Sequence, residues 1–140
     1  MSKEACNKIK TKLQRLDEYL AYLKELQKAP QARFLADHRI YGLAERYLQL
    51  AAQIIIDVGQ MLIVAKNLSR PENNQDVFVI LGDKKIISKN LEQRLTGIAN
   101  FRNILVHDYE KLDHKKVYTH LKNNFKDFID FKKQIIKSLK

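Results

Sequence analysis

One cysteine, two prolines, four glycines and no tryptophan occur in 140 residues, and each scarcity excludes something. A lone Cys6 cannot close an internal disulfide or build a thiolate metal cluster, so nothing points to an oxidising compartment. Glycine and proline are too few for the many tight turns of a multi-stranded protein, and the apolar residues recur at helical rather than alternating spacing. The expected fold is all-α. Long hydrophobic runs are also missing: the most apolar stretch, Ala51 to Ala65, is interrupted by Gln53, Asp57 and Gln60. The opening MSKEACNKIK has no apolar signal core, so no membrane span is expected and cytoplasm is the expected location. Neither a glycine-rich phosphate loop nor a serine or cysteine nucleophile motif is present. His38, His114 and His120 lack metal-ligand spacing and read as surface residues, so no metal or cofactor is expected.

What the chain does have is positive charge, +10 overall, and enough apolar content, 45%, for the core of one domain spanning residues 1–140. The charge gathers at the ends, with nine lysines against four acids in residues 110–140 and seven Lys or Arg against four acids in residues 1–28. Such a field attracts polyanions, nucleic acid above all, although a solvated lysine face has the same composition. Few aromatics interleave with these lysines, so no base-stacking platform is expected.

The periodicity predicts four to five helices. Ile9, Leu13, Leu16, Leu20 and Leu23 define the first, over roughly Lys3 to Gln27, before Pro30. A second runs from about Ala32 to Asn67, with Leu43, Tyr47, Leu50, Ile54, Val58, Met61 and Ala65 as its apolar stripe. Its other side carries Arg46, Gln49, Gln53, Asp57 and Gln60, a polar stripe with little charge, and Arg46 and Asp57 are secondary site candidates. A loop at residues 69–74 precedes a short helix over Asp76 to Leu81. Ser88 then caps a helix to about Val106 with Leu91, Leu95, Ile98 and Leu105 inward and Gly97 permitting close backbone approach. Asp113 caps the last helix, whose stripe is Val117, Leu121, Phe125, Phe128, Ile135 and Leu139.

Chemistry concentrates in Arg102-Asn103-Ile104-Leu105-Val106-His107, followed after Asp108 by Tyr109. A guanidinium clamps anionic oxygens, an imidazole shuttles protons, and a phenol orients or accepts a modifying group. Asn103 precedes His107 by four residues and so shares its helix face. Arg102 and His107, five residues apart, cannot sit side by side on one straight helix. Either the helix ends near Val106 or two copies of the segment complete each other.

This fragment resembles the signature of the HEPN superfamily: arginine, four to six residues, histidine, any residue, tyrosine. Leu43-Ala44-Glu45-Arg46-Tyr47-Leu48-Gln49 looks like the segment opening the second main helix of HepT-like members, so the resemblance covers nearly the whole chain. It implies an antiparallel helical bundle and a metal-independent endoribonuclease, the toxin of a toxin–antitoxin pair, with an MntA-type nucleotidyltransferase as antitoxin and RNA, tRNA in particular, as substrate. It also implies a homodimer whose motifs face one cleft, with Arg102 and His107 catalytic, Asn103 and Tyr109 supporting, and Tyr109 receiving the AMP that blocks the toxin. The alternative from another class is a non-catalytic helical module that docks the nucleotidyltransferase and presents its substrate.

Overall fold

Asp37 divides the segment expected to be one helix from Ala32 to Asn67. In the computed structural model, which describes residues 1–140 apart from the side chain of Tyr109, the Asp37 backbone is extended at φ −120° and ψ 106°. Its carboxylate accepts a hydrogen bond from the Arg39 backbone N–H at 2.9 Å, which starts a new helix instead of continuing the old one. The result is α2 (Gln31–Ala36) and α3 (His38–Ala65), with α1 (Lys3–Leu26) before them. After α4 (Asn74–Asp83) and α5 (Lys89–His107) come a 3₁₀ turn (Tyr109–Lys111), α6 (His114–Asn123) and α7 (Phe125–Ser138). Asn124 separates the last two, where the pattern predicts one helix. Its amide is drawn into side-chain bonds with His120 at 2.6 Å and Asp127 at 2.8 Å. These two interruptions turn four to five expected helices into seven without changing the antiparallel all-α bundle. Ser88 and Asp113 cap α5 and α6 as expected, accepting from Leu91 and Lys115 at 3.1 and 2.9 Å.

α3 is the axis of the bundle and touches every other α-helix. By length and composition it would also span a membrane, yet its apolar surface is used as the protein core. Because neighbours surround it, its buried residues do not form the expected stripe. Ala44, Leu48, Ala51, Ile55 and Leu62 are fully or almost fully buried, and so are Ile54 and Val58 from the expected set. Leu43, by contrast, is 46% exposed, and Tyr47, Leu50, Met61 and Ala65 are only half-buried. The expected stripe is therefore mostly a shoulder of α3, beside the polar side chains.

α1 lies antiparallel to α3, pairing Lys12 with Asp57 at 3.2 Å and Tyr19 with Tyr47 at 6.0 Å between ring centres. Close backbone approach occurs at Gly59 rather than Gly97. Gly97 is exposed with open space around it, whereas a methyl group on Gly59 would overlap the buried Val77 side chain of α4. Gly59→Ala should accordingly destabilise the protein by roughly 1–3 kcal/mol in urea unfolding, even though alanine gains about 1 kcal/mol of helix propensity. The double change with Val77→Ala should be less than additive, and an unshifted midpoint for Gly59→Ala would show that α3 and α4 part freely.

α5 is fixed to the elbow between α6 and α7 at two points on one face. Arg94 reaches the buried Asp127 and, at 3.2 Å, Asp130. Seven residues later Phe101 stacks on His120, with ring centres 3.8 Å apart and planes 16° from parallel. His120 is thus not a free surface residue, and His114, though partly exposed, stacks on Tyr41 at 3.9 Å and hydrogen-bonds Glu45 at 2.7 Å; His38 is exposed as expected. Burial pushes the His120 imidazole below its ordinary value and nearby Lys116 adds to this, against the opposing hydrogen bond to Asn124. A depressed folded-state value means the unfolded chain takes up the proton first as pH falls. The stabilising contribution is complete above the ordinary histidine range and is lost as pH drops through the folded value. The urea midpoint should therefore decline as pH falls below the ordinary histidine range, and His120→Gln should flatten that slope; an identical slope in the variant would remove His120 from the explanation.

Candidate active site

The motif helix ends at the motif histidine. His107 is the last residue of α5, and Asp108 leaves helical geometry at φ −138° and ψ 65°. His107 is exposed and Arg102 half-buried. Five residues of α-helix rotate one side chain about 140° from the other, and no hydrogen bond joins the two among the described residues. One chain therefore does not bring the guanidinium and the imidazole together.

Arg102 is held from two sides. Its Nε donates to Gln53 Oε1 at 2.9 Å, across to α3, and its Nη1 donates to Asn103 Oδ1 at 3.2 Å. Asn103 Oδ1 also accepts from Asn74 Nδ2 at 3.4 Å, which links the motif to the start of α4. Behind Gln53 the chain of bonds continues: its Nε2 donates to Asp57 Oδ1 at 2.7 Å, and Lys12 Nζ donates to Asp57 Oδ2 at 3.2 Å. Both acceptors on Arg102 are amide oxygens. Among the described residues no carboxylate lies within ion-pair distance of it. Arg94, two turns earlier on the same helix, faces two carboxylates instead. Neutral acceptors orient a guanidinium without cancelling its charge, which leaves Arg102 able to bind an anion and Arg94 already satisfied.

The other expected site residues are distributed unequally. Asn103 turns its amide oxygen to Arg102 and Asn74, and no bond to His107 occurs among the described residues. Asp57 belongs to the network at one remove, through Gln53. Arg46 is exposed, about two turns of α3 from Gln53, and has no hydrogen bond or ion pair among the described residues. The side chain of Tyr109 lies outside the described residues. Sequence reasoning missed Gln53 and Asn74. Gln53 did sit in the weakly charged polar stripe of α3, but nothing in its spacing ties it to a residue 49 positions away.

Fold and site together define a helical-bundle protein that fixes an unneutralised arginine and presents a histidine on the last turns of one helix. Residues 9–135 match the family described as Ribonuclease HepT-like, and the chain belongs to that family. Two curated relatives are similar to it. The tRNA nuclease HepT of Aphanizomenon flos-aquae is 27% identical over 79% of this chain and 75% of its own length. The mRNA nuclease HepT of Shewanella oneidensis is 29% identical over 71% of this chain and 75% of its own. Among solved structures, the tri-AMPylated Shewanella oneidensis HEPN toxin in complex with MNT antitoxin superposes with a TM-score of 0.80 at 23% identity, covering 98% of this chain and 99% of that one.

Proposed function

We propose that this chain is a metal-independent endoribonuclease, the toxin of a HEPN and nucleotidyltransferase pair, and that residues 1–140 form one such domain acting in the cytoplasm. The observation that carries the reading is the Arg102 guanidinium, oriented by Gln53 and Asn103 through neutral oxygens, five residues from an exposed histidine on the same helix. Cleavage by a ribose 2′-hydroxyl attacking the adjacent phosphorus and expelling the 5′-oxygen needs one proton removed, one proton delivered, and charge stabilised on the phosphoryl oxygens. His107 suits the proton transfers and Arg102 the charge. RNA cleavage also agrees with the relatives' names and with the basic termini.

Two copies of the chain supply what one lacks. With Arg102 and His107 turned apart on α5, a two-fold pair facing across a cleft would set the arginine of one protomer near the histidine of its partner. The apolar shoulder of α3, from the exposed Leu43 to the half-buried Leu50, adjoins Gln53 and supports such packing.

Tyr109 is the proposed acceptor of AMP from an MntA-type partner. It follows His107 by two residues, and a phosphodiester added there would repel RNA phosphates and fill the cleft. Purified protein incubated with total RNA in a metal chelator should cleave it, and Arg102→Ala should not. Equal cleavage by both would assign the activity to a contaminant and contradict the proposal.

A further inference from the structure

We infer that Gln53 is the positioning residue of the Arg102 guanidinium, acting through a polar relay that runs from Arg102 by way of Gln53 and Asp57 to Lys12. The inference rests on the ribonuclease reading for its kinetic consequences and on hydrogen bonds for its geometry. Arg102 can only donate and an ionised Asp57 can only accept. A side chain between them must therefore accept at one end and donate at the other. A primary amide does this with a single orientation: Gln53 Oε1 takes the Arg102 Nε–H at 2.9 Å while Nε2 gives to Asp57 Oδ1 at 2.7 Å. Lys12, at 3.2 Å from Asp57 Oδ2, closes the far end with an opposite charge.

The polarity of this relay has a consequence for the site. Were Asp57 itself against Arg102, the pair would neutralise the guanidinium. With Gln53 interposed, the carboxylate fixes the amide and its charge is met by Lys12, so Arg102 keeps a fixed direction and its positive charge. The Nε edge is occupied by Gln53 and one Nη1 proton by Asn103, which leaves the remaining N–H groups for phosphoryl oxygens. Asp57 and Lys12 line an open cavity of about 350 Å³ between α1 and α3 together with Gln53, so substitutions in the relay reach solvent instead of packed core.

Three variants test this. Gln53→Met keeps the length of the side chain and removes both hydrogen bonds. It should lower kcat for RNA cleavage by about 10- to 100-fold, as for a displaced catalytic group, with KM changed less than about twofold. Gln53→Glu still accepts from Arg102 but sets a second carboxylate against Asp57, and it should lose activity comparably. Gln53→Glu combined with Asp57→Asn restores every bond with the carboxylate and the amide exchanged. The amide at position 57 would donate to the carboxylate one turn earlier and accept from Lys12, so the double variant should hold Arg102 as firmly as the unaltered chain, but its carboxylate neutralises the guanidinium and cleavage should stay as low as in Gln53→Glu. A merely structural role for Gln53 would move the unfolding midpoint in step with kcat, and full cleavage by the double variant would show that Arg102 needs no neutral acceptor; either result would overturn the inference. The Arg102 Nε–H signal in a ¹⁵N-correlated spectrum, without RNA, supplies a second readout. It should be sharp and protected from exchange in the unaltered chain and in the double variant, and broadened or lost in Gln53→Met. An inactive but well-folded unaltered chain would defeat the ribonuclease reading, and the spectrum would still decide the relay; a signal indifferent to Gln53→Met would defeat the relay alone.

Discussion

His107→Ala should lower RNA cleavage by about a thousandfold, within the range that positioned acid–base groups contribute, while unfolding at the same urea concentration as the unaltered chain. The two halves of that expectation come from one fact. His107 is exposed at the end of α5, and exposed positions away from special features change stability by only about 0.5 kcal/mol or less. Activity lost without stability lost would thus locate the proton transfer at the imidazole. Arg102→Ala should be equally inactive and slightly less stable, because it leaves Gln53 and Asn103 without their shared donor. Cleavage by His107→Ala within about tenfold of the unaltered chain would fall below the range expected of a proton-transferring group and would favour a non-catalytic module that docks the nucleotidyltransferase and presents its substrate.

Arg94→Ala should produce the largest loss of stability, roughly 2–4 kcal/mol, less than for a fully buried pair because Arg94 is partly exposed while the Asp127 carboxylate it leaves behind is buried. Asp127 is 3% exposed, and Arg94 is the cation that compensates it. Asn124 also donates to it at 2.8 Å, but an amide cannot offset a buried charge alone. Because the same elbow carries His120, which stacks on Phe101 beside Arg102, loosening it should also blur the motif helix. Thermal and urea unfolding of Arg94→Ala measure the first effect. A combined Arg94→Ala and Asp127→Asn variant should regain part of the loss, since it removes the orphaned carboxylate. A loss below about 1 kcal/mol, the typical worth of an exposed pair, would mean that Asp127 finds water or another cation.

How much of this was legible in the chain follows from the range of each signal. Helix starts were readable because a cap acts on N–H groups two or three residues away: Ser88 and Asp113 sit at helix starts where local chemistry places them. The same local rule applied to Asp37 would have divided one helix, but uninterrupted apolar spacing outweighed it; Asn124 caps no backbone N–H of α7, so the second break had no such signal. Arg102 and His107 stood out because polar groups interrupt an apolar segment. Gln53 and Asn74 did not, since what matters in them is contact with α5 from 49 and 29 positions away. The rotated stripe of α3 has a similar origin. Periodicity identifies an apolar face only when a helix has one packed side, and α3 has neighbours nearly all round.

Tandem purification of a mixed dimer, one protomer carrying Arg102→Ala and the other His107→Ala under different tags, tests most directly whether both chains build the site. Each homodimer should be inactive. If guanidinium and imidazole meet across the two-fold axis, the mixed dimer contains one site with both groups intact and should cleave RNA at about half the unaltered rate per dimer. A mixed dimer as silent as its parents would contradict a shared site, and so would an unaltered chain that cleaves RNA as a monomer.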